Sequence, residues 1–379
     1  MNLSFSSPIL YEHLTFLHRS LRQNWLSKHS KKQDLLKRIE TLVNDLVHSL
    51  SNGVSPVLSY VSYKDWDSVS YTEGGILVPS AKKKMAYIRY DNEKSLKKFG
   101  LIVKVLSIIY KLLQENRYCT KRDLYYQDPE SFGKQTTLDG VVDIIAAILN
   151  VPRWELNVLA TSKGLVSGDL QFYNEDGHHI DCRGSKGGIS IPAHRKDMNN
   201  IYTDAKFILI VEKDATFQKL LGENFCEKYA PCILITAKGF PDLGTRLLLK
   251  LLWNQFQLPV FSLVDCDPHV VLLLLSSIVS FQAQACENQH LAVPTIKWLG
   301  ILPSESHIPE ATLIPLTQRD VEKASELLRR PYVNSNWRLR EQRMLQLGKK
   351  AEIQCLDSIS SNYLCDVYIP SKLSSGDWL

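Results

Sequence analysis

Apolar residues recur at helical spacing in two segments of the first third of the chain. In the first segment, apolar positions lie three or four apart with charged residues between them, at Leu35, Ile39, Leu42, Val43, Leu46 and Leu50. This pattern predicts an amphipathic helix over residues 35–50 that packs on a partner surface. Leu101 to Leu113 has the same periodicity and predicts a second helix.

Two more helices are predicted from residues that can cap them. Thr120 is suited to begin a short helix containing Tyr125 and Tyr126, and Thr137 is suited to begin another that ends at Leu149. Helices joined by short turns in this way are typical of a helix-turn-helix.

Residues 51–95 carry little periodicity and contain several glycines and prolines, which predicts a linker or irregular extension. We therefore assign residues 1–95 to an N-terminal helix, which most simply packs on the body of the protein, and this extension. The basic triplet Lys82–Lys84 fits a solvated patch, with a nuclear-import signal as the alternative.

A hairpin is predicted after the helices. Gly164 to Tyr173 and His178 to Asp181 have strand-like patterns on either side of the turn Glu175-Asp176-Gly177. Helices followed by a hairpin form a winged helix, a common DNA-docking unit, which we place at residues 96–200.

From Asp204 onward the apolar period changes. Lys206 to Val211, Cys232 to Thr236 and Pro259 to Val264 are predicted to be short buried strands separated by helices. This alternation predicts an α/β domain with a mainly parallel sheet over residues 201–379, including a C-terminal extension.

Carboxylates stand at the ends of two of these strands. Glu212 ends the first strand, and Asp265 and Asp267 end the third, so the three should meet at one edge of the sheet. Their hard oxygen ligands suit Mg²⁺. Any one such acid is more often a solvated loop residue, but their joint pattern favours a metal site. The flanking Lys213 and Asp214 are expected to be surface or supporting residues.

The segment Lys121 to Tyr126 places two tyrosines beside two cations. A phenol with a pKa near 10 is a poor nucleophile, and neighbouring cations stabilise its phenolate. Attack on a phosphodiester would give a tyrosyl-phosphate and free a sugar hydroxyl. An isolated tyrosine pair is more often packing, so this interpretation depends on the acids.

Three further cations are weaker candidates for DNA contact. Lys163 precedes the predicted hairpin, and Lys238 and Arg246 follow the second strand of the α/β domain. Each is also compatible with a turn that carries a surface charge.

Composition narrows the class of protein. A length of 379 residues with 44% hydrophobic residues favours two domains with real cores, and a net charge of +5 is compatible with nucleic acid without being histone-like. Eight cysteines with no C-x-x-C pair favour a reducing compartment without structural zinc. The apolar run Val270 to Phe281 has about half the length of a membrane span, so we expect a buried helix and a cytosolic or nuclear protein.

In their order and spacing, four segments resemble the topoisomerase VI A-subunit family, and most closely its eukaryotic branch that makes meiotic double-strand breaks. The resemblance runs from about Leu35 to Lys372 and is carried by Lys121–Tyr126, Val211–Lys213, Thr236–Arg246 and Asp265–Pro268. It implies a winged-helix nucleophile domain followed by a Toprim magnesium domain. It also implies double-stranded DNA as substrate and a nuclear, chromosome-associated protein.

The resemblance assigns roles to particular residues. Tyr126 would be the nucleophile, Arg122 its phosphate or phenolate partner, and Glu212, Asp265 and Asp267 the Mg²⁺ ligands. The family uses the tyrosine of one subunit with the metal site of another, which implies a homodimer. A topoisomerase VI B-subunit-like partner is implied as well, because this chain has no nucleotide-binding motif, and the N-terminal region at residues 1–95 could dock it through the helix at 35–50.

One segment departs from the family. Val270 stands where the family usually has glycine, and the departure continues to Glu287. A catalytically impaired, DNA-binding or scaffolding relative of the same fold is therefore the alternative. A Toprim nuclease that uses water as nucleophile is a third class, which would need the acids but not the tyrosine helix.

Overall fold

The structure is a computed structural model that describes residues 31–63, 65–72, 76–194, 197–271, 285–302, 305, 308–330, 333 and 335–378. Two compact units divide the chain: the first lies within Met1–Val61 and Met85–Val158, and the second within Ser62–Lys84 and Leu159–Leu379. None of the helices in these described ranges is both long and apolar enough to cross a bilayer.

The first unit is mainly helical. Its elements, numbered in chain order over the whole chain, are α1 (31–51), β1 (Val57–Ser62), β4 (Lys84–Arg89), α2 (Glu93–Glu115), β5 (Cys119–Thr120), α3 (Lys121–Gln127), α4 (Pro129–Phe132), α5 (Gln135–Leu149) and β6 (Val158–Leu159). Apolar faces of α1, α2, α3 and α5 form one core. The short strands pair as β1 with β4 and β5 with β6.

The predicted helices form, with one wrong cap. The amphipathic helix is α1, whose Leu35 and Ile39 are buried, and the second predicted helix is the central part of α2. Thr120 caps α3 as predicted. Thr137 does not begin the next helix, because α5 already starts after Lys134, and the Thr137 backbone N–H bonds to the Lys134 carbonyl within the first turn.

The prediction of an irregular extension at residues 51–95 is wrong. This stretch contains four short strands, among them β2 (Val69–Tyr71) and β3 (Leu77–Pro79), which pair with each other in an antiparallel register. The strands are three to six residues long. Such short strands show too little alternation to be distinguished from a linker.

The second unit is built on a six-stranded sheet. The sheet strands are β7 (Leu165–Gly168), β10 (Ile189–Ser190), β12 (Ile208–Val211), β13 (Ile233–Thr236), β14 (Val260–Leu263) and β15 (Ile296–Gly300). Their order in the sheet is β10-β7-β13-β12-β14-β15. The last four run parallel, which confirms the predicted α/β domain with a mainly parallel sheet.

Helices cover both faces of this sheet. Ile208 and Ile233 face one apolar core and the next residues, Leu209 and Leu234, face another, as the two-residue period of a strand requires. The helices and outlying strands are α6 (Asp214–Gly222), α7 (Phe225–Lys228), α8 (Leu243–Phe256), α9 (from 268, described to 271), α10 (Ala285–Leu291), α11 (Gln318–Leu328), α12 (Ser335–Leu347), α13 (Ile369–Ser375), β8 (Gln171–Tyr173), β9 (His179–Asp181), β11 (Asn199–Tyr202), β16 (Ile314–Pro315) and β17 (Lys349–Lys350). Most of the segment predicted as a buried helix at 270–281 lies outside the described residues.

The predicted hairpin forms but begins later than expected. β8 and β9 pair in antiparallel register, and both lie in the second unit. The strand predicted from Gly164 to Tyr173 is two strands, because the chain turns at Gly168, where φ is +100°. A Cβ there would lie 2.2 Å from the Cys232 carbonyl oxygen, since β7 pairs directly with β13.

Candidate active site

A reciprocal cap fixes the helix that carries the tyrosine pair. The Thr120 hydroxyl accepts from the Asp123 backbone N–H at 3.0 Å, and the Asp123 carboxylate accepts from the Thr120 backbone N–H at 3.2 Å. Leu124 is fully buried and joins α3 to the helical core. These contacts define which face of α3 is turned to solvent.

The two tyrosines of α3 have different surroundings. The Tyr125 hydroxyl donates to the Gly133 carbonyl at 3.2 Å, and its ring lies 6.4 Å from that of Phe132. Tyr126 is 65% exposed. Tyr125 therefore supports the local packing, while Tyr126 presents its phenol to solvent.

The two cations beside the tyrosines also differ. The Lys121 ammonium lies 3.4 Å from the Asp139 carboxylate and so forms an ion pair with helix α5 of the same unit. Arg122 is exposed and precedes Tyr126 by four residues, which places both on one face of α3. Arg122 is thus the cation that shares the exposed face of α3 with Tyr126.

The sheet brings two of the predicted carboxylates together. Glu212 follows β12 and Asp265 follows the adjacent parallel strand β14, so both stand at the carboxyl edge of the sheet. The Asp265 backbone N–H donates to the Glu212 carboxylate at 3.2 Å. Asp265 is 5% exposed.

This edge of the sheet carries an excess of negative charge. Burial, followed by the charges of Asp265 and Asp267, raises the pKa of Glu212 to about 7. Burial also raises the pKa of Asp265, against the opposing effect of Lys213, whose ammonium lies 2.8 Å from that carboxylate. A divalent cation would relieve this repulsion, and oxygen ligands of this kind suit Mg²⁺.

A C-terminal segment, which was not assigned to this site from the sequence, holds Asp265 and Asp267 in place. The backbone of Ala351 exchanges hydrogen bonds with that of Cys266, at 2.9 and 3.1 Å. The Ile353 backbone N–H donates to Asp265 at 2.9 Å, and the Lys350 ammonium donates to Asp267 at 2.7 Å. Residues 350–353 therefore fix the position of the Asp265–Asp267 turn through hydrogen bonds. No sequence pattern around Lys350 predicts this contact, because the ion pair joins segments that are over 80 residues apart in the chain.

Asp267 has a second structural task. Its carboxylate accepts from the His269 backbone N–H at 2.8 Å and its carbonyl accepts from Val270 and Val271, so it caps α9, with Pro268 at the first helical position. Val270 is 8% exposed, so the valine in place of the family glycine is accommodated in the interior.

Asp267 also belongs to a close group of ligand-type side chains. The ligand atoms of Asp267, His269 and Asp320 lie within 4.8 Å of one another. Glu212 and Asp265 are not members of this group. In the described residues, the three predicted ligands are thus neighbours at one edge rather than one tight cluster.

The three weaker candidates for DNA contact differ in how deeply they are buried. The Lys163 ammonium donates to the Lys238 carbonyl at 3.1 Å, and that of Lys238 pairs with Asp214 at 3.1 Å, so these two lysines lie together. Arg246 is 5% exposed and lines a cavity of about 40 Å³ with Glu212. Arg246 is thus largely buried in this arrangement, and its direct contact with DNA stays a prediction.

A divalent cation held by Glu212 is expected to bind about tenfold more weakly at pH 6 than at pH 8, because Glu212, with its pKa raised to about 7, must lose a proton to bind a cation. Isothermal titration with Mg²⁺ at the two pH values measures this. Glu212→Gln has no proton to lose and should bind weakly with a flatter profile. Equal affinity of the wild type at both pH values would contradict the expectation.

Comparison with known proteins matches two regions of the chain. A family model for the Toprim domain of the topoisomerase 6 A-subunit/Spo11 proteins matches residues 207–373, and a model described as "Type IIB DNA topoisomerase" matches residues 97–158. The second match ends where the first structural unit ends. The tyrosine helix and the acidic edge thus lie in separately matched regions.

Individual relatives extend the match over nearly the whole chain. "Meiotic recombination protein SPO11" of Homo sapiens is 43% identical over 93% of this chain and 90% of its own length. "Meiotic recombination protein SPO11-1" of Arabidopsis thaliana is 36% identical over 91% and 96%, and the A-subunit of DNA topoisomerase 6 from the same plant is 37% identical over 79% and 71%. With an exposed tyrosine on a capped helix and a Toprim carboxylate edge, the chain belongs to the topoisomerase 6 A-subunit/Spo11 family.

Proposed function

We propose that this chain makes DNA double-strand breaks that initiate meiotic recombination, by the transesterification of a type II topoisomerase. The observation that carries the proposal is the contrast within the tyrosine pair: Tyr126 is 65% exposed on a fixed helix, whereas Tyr125 is engaged in packing. Relatives named for meiotic recombination match over most of the chain, which favours a role in meiosis over relaxation of supercoils.

The chemical step follows from an exposed phenol. The Tyr126 oxygen attacks the phosphorus of a DNA phosphodiester and loses its proton. A phosphotyrosyl ester forms at the 5′ end, and the bond to the 3′ oxygen breaks, so that this oxygen takes up a proton as the free hydroxyl. Arg122, on the same face of α3, is placed to balance charge on the phenolate or the phosphate.

Glu212, Asp265 and Asp267 would hold Mg²⁺ at the carboxyl edge of the sheet. When bound, the ion stabilises negative charge on the phosphate oxygens. The excess of carboxylate charge around Glu212 supports this assignment. Lys213 then keeps Asp265 in place, because it pairs with that carboxylate and with Glu352 at 3.2 Å.

The domain roles are part of the same proposal. Residues 96–200 would act as a winged-helix DNA-binding domain with the nucleophile, although the hairpin β8–β9 lies in the second unit, and residues 201–379 would act as the Toprim domain, whose sheet also includes β7. Cleavage of both strands needs two tyrosines and hence a homodimer on double-stranded DNA. Lys163 and Lys238 are candidate phosphate contacts, and the nucleus, on chromosomes, is the expected location.

The exposed face of α1 is the proposed docking site for a B-subunit-like partner. Val43 and Val47 are 40% and 59% exposed, whereas Leu42 and Leu46 pack against the core of the unit. The docking side of the helix is therefore the valine side. Substituting Leu42 or Leu46 would disturb folding as well as association.

Replacing Val43 and Val47 together by lysine is expected to weaken partner association at least about tenfold, because two apolar contacts are lost and charge is buried. Lysine is a better helix former than valine, so α1 should remain folded. Co-purification with the partner, followed by titration, measures the loss. Asp45→Lys is a matched control, since Asp45 is exposed on another side of the same helix. Unchanged affinity would rule out this face.

The alternative is a DNA-binding relative that does not cleave, which is favoured by the family departure that begins at Val270. Purified chain with its partner, DNA and Mg²⁺ either does or does not become covalently attached to 5′ ends. An adduct mapped to Tyr126 supports the cleaving enzyme. DNA binding without any adduct would support the alternative, and breaks with free 5′ ends would indicate a water nucleophile.

A further inference from the structure

We propose that Lys350 is a resident cation of the acidic site: its ammonium occupies the position between Asp267 and Asp320 that a second metal ion would otherwise take. The inference rests on the proposed function, which places one divalent ion at Glu212, Asp265 and Asp267. Lys350 touches neither DNA nor the tyrosine in this assignment. It is a positioning residue that acts through Asp267.

The ammonium lies between the two aspartates of a metal-like group. It is 2.7 Å from Asp267 and 3.1 Å from Asp320. His269 completes the group at 3.4 Å from the other oxygen of Asp320, and the three ligand atoms lie within 4.8 Å of one another. Spacing of this kind suits a divalent cation, but the position already holds a positive charge.

The carboxylate of Asp320 cannot turn away from this position. It is 3% exposed as a residue and accepts hydrogen bonds from the backbone N–H and the hydroxyl of Thr317, both at 2.8 Å, as the reciprocal cap of α11. A buried carboxylate fixed in this way is costly without a counter-charge. Lys350 supplies it.

A further buried acid lies close enough to Asp267 to be affected by its charge. Glu341 is 1% exposed, and neither of its carboxylate oxygens has a hydrogen-bond partner within the described part of the chain. Burial and the charge of Asp267 raise its pKa to about 8. Glu341 is therefore mostly protonated at neutral pH, so the negative charge that Lys350 balances comes from Asp267 and Asp320.

The backbone, rather than a flexible loop, places Lys350. Residue 350 lies on β17, where it pairs with Ile314 of β16, and the next residue bridges to Cys266. The lysine thus enters the acidic site from a strand that is hydrogen-bonded to the turn it neutralises. Its contact with Asp267 leaves that carboxylate oriented for the proposed metal.

The test counts Mn²⁺ ions bound per purified full-length chain, by electron paramagnetic resonance of the free ion. We expect about one ion in the wild type and in Lys350→Arg, which keeps the charge, and about two in Lys350→Met, which vacates the position. Combining Lys350→Met with Asp320→Asn should return the count to about one. A count of about one in folded Lys350→Met would overturn the resident-cation role.

Asp320→Asn alone decides the matter if Lys350→Met does not fold, because the asparagine amide oxygen can still accept from the Thr317 backbone N–H and the lysine is retained. The bound ion should stay, with unchanged affinity. Loss of that ion would show that Asp320 is itself a metal ligand and would overturn the inference. Absence of any bound Mn²⁺ in the wild type would overturn the proposed metal site instead.

Discussion

Tyr126→Phe is expected to abolish covalent attachment of the protein to DNA. The substitution removes the only oxygen that the proposal uses as nucleophile and leaves the ring in place. Because Tyr126 is 65% exposed, the loss of its hydroxyl should leave the free energy of unfolding nearly unchanged. Denaturing electrophoresis after incubation with partner, DNA and Mg²⁺ detects the adduct, and thermal unfolding reports the stability.

Tyr125→Phe is the matched control. Its hydroxyl donates to the Gly133 carbonyl, so its removal should cost about 1 kcal/mol of stability and leave the adduct present. The two variants are thus expected to separate chemistry from packing. If Tyr126→Phe kept the adduct and Tyr125→Phe lost it, the assignment within the pair would be reversed.

Glu212→Gln is expected to lower DNA cleavage by at least about a hundredfold, since it removes one carboxylate of the proposed metal site. It should not unfold the protein. Below pH 4.5 the carboxyl is neutral in both the folded and the unfolded chain, and the stability that the bound proton contributes is lost as pH rises through about 7. At pH 8 the ionised carboxylate therefore opposes folding in the metal-free protein.

Glutamine cannot ionise, so this variant should be more stable than the metal-free wild type at pH 8, by about 1–3 kcal/mol. Thermal unfolding in the absence of metal measures the gain, and cleavage assays measure the loss of activity. Asp214→Asn is a suitable control, because Asp214 pairs with Lys238 and Gln218 instead of the aspartates. Retained cleavage in Glu212→Gln would contradict the metal role.

The features that could be predicted from the sequence, the tyrosine helix and the acidic edge of the sheet, are those that have signals in nearby residues. Thr120 and its partner three residues later define the start of the tyrosine helix, and strand-end acids identify the carboxyl edge of a parallel sheet. Both signals depend on neighbours in sequence or on the regular alternation of strands and helices. The capping role of Asp267 also has a local signal, Asp followed by Pro.

The contacts that were not predicted are those between distant segments. Lys350 and Ile353 reach the aspartates only because β17 lies beside the Cys266 turn, and their sequence gives no sign of that register. Burial of Arg246 is of the same kind, since a cation one turn into a helix can face either solvent or the interior. Long-range packing decides these cases.

The pairing of β7 with β13 determines where a fragment of the second unit should begin. β7 covers the side of β13 that does not face β12, and Leu165 to Gly168 supply its backbone partners. A fragment that begins at residue 201 would leave those backbone groups of β13 open, which creates an edge prone to pair with other chains and aggregate. A fragment that begins at residue 159 keeps the edge closed.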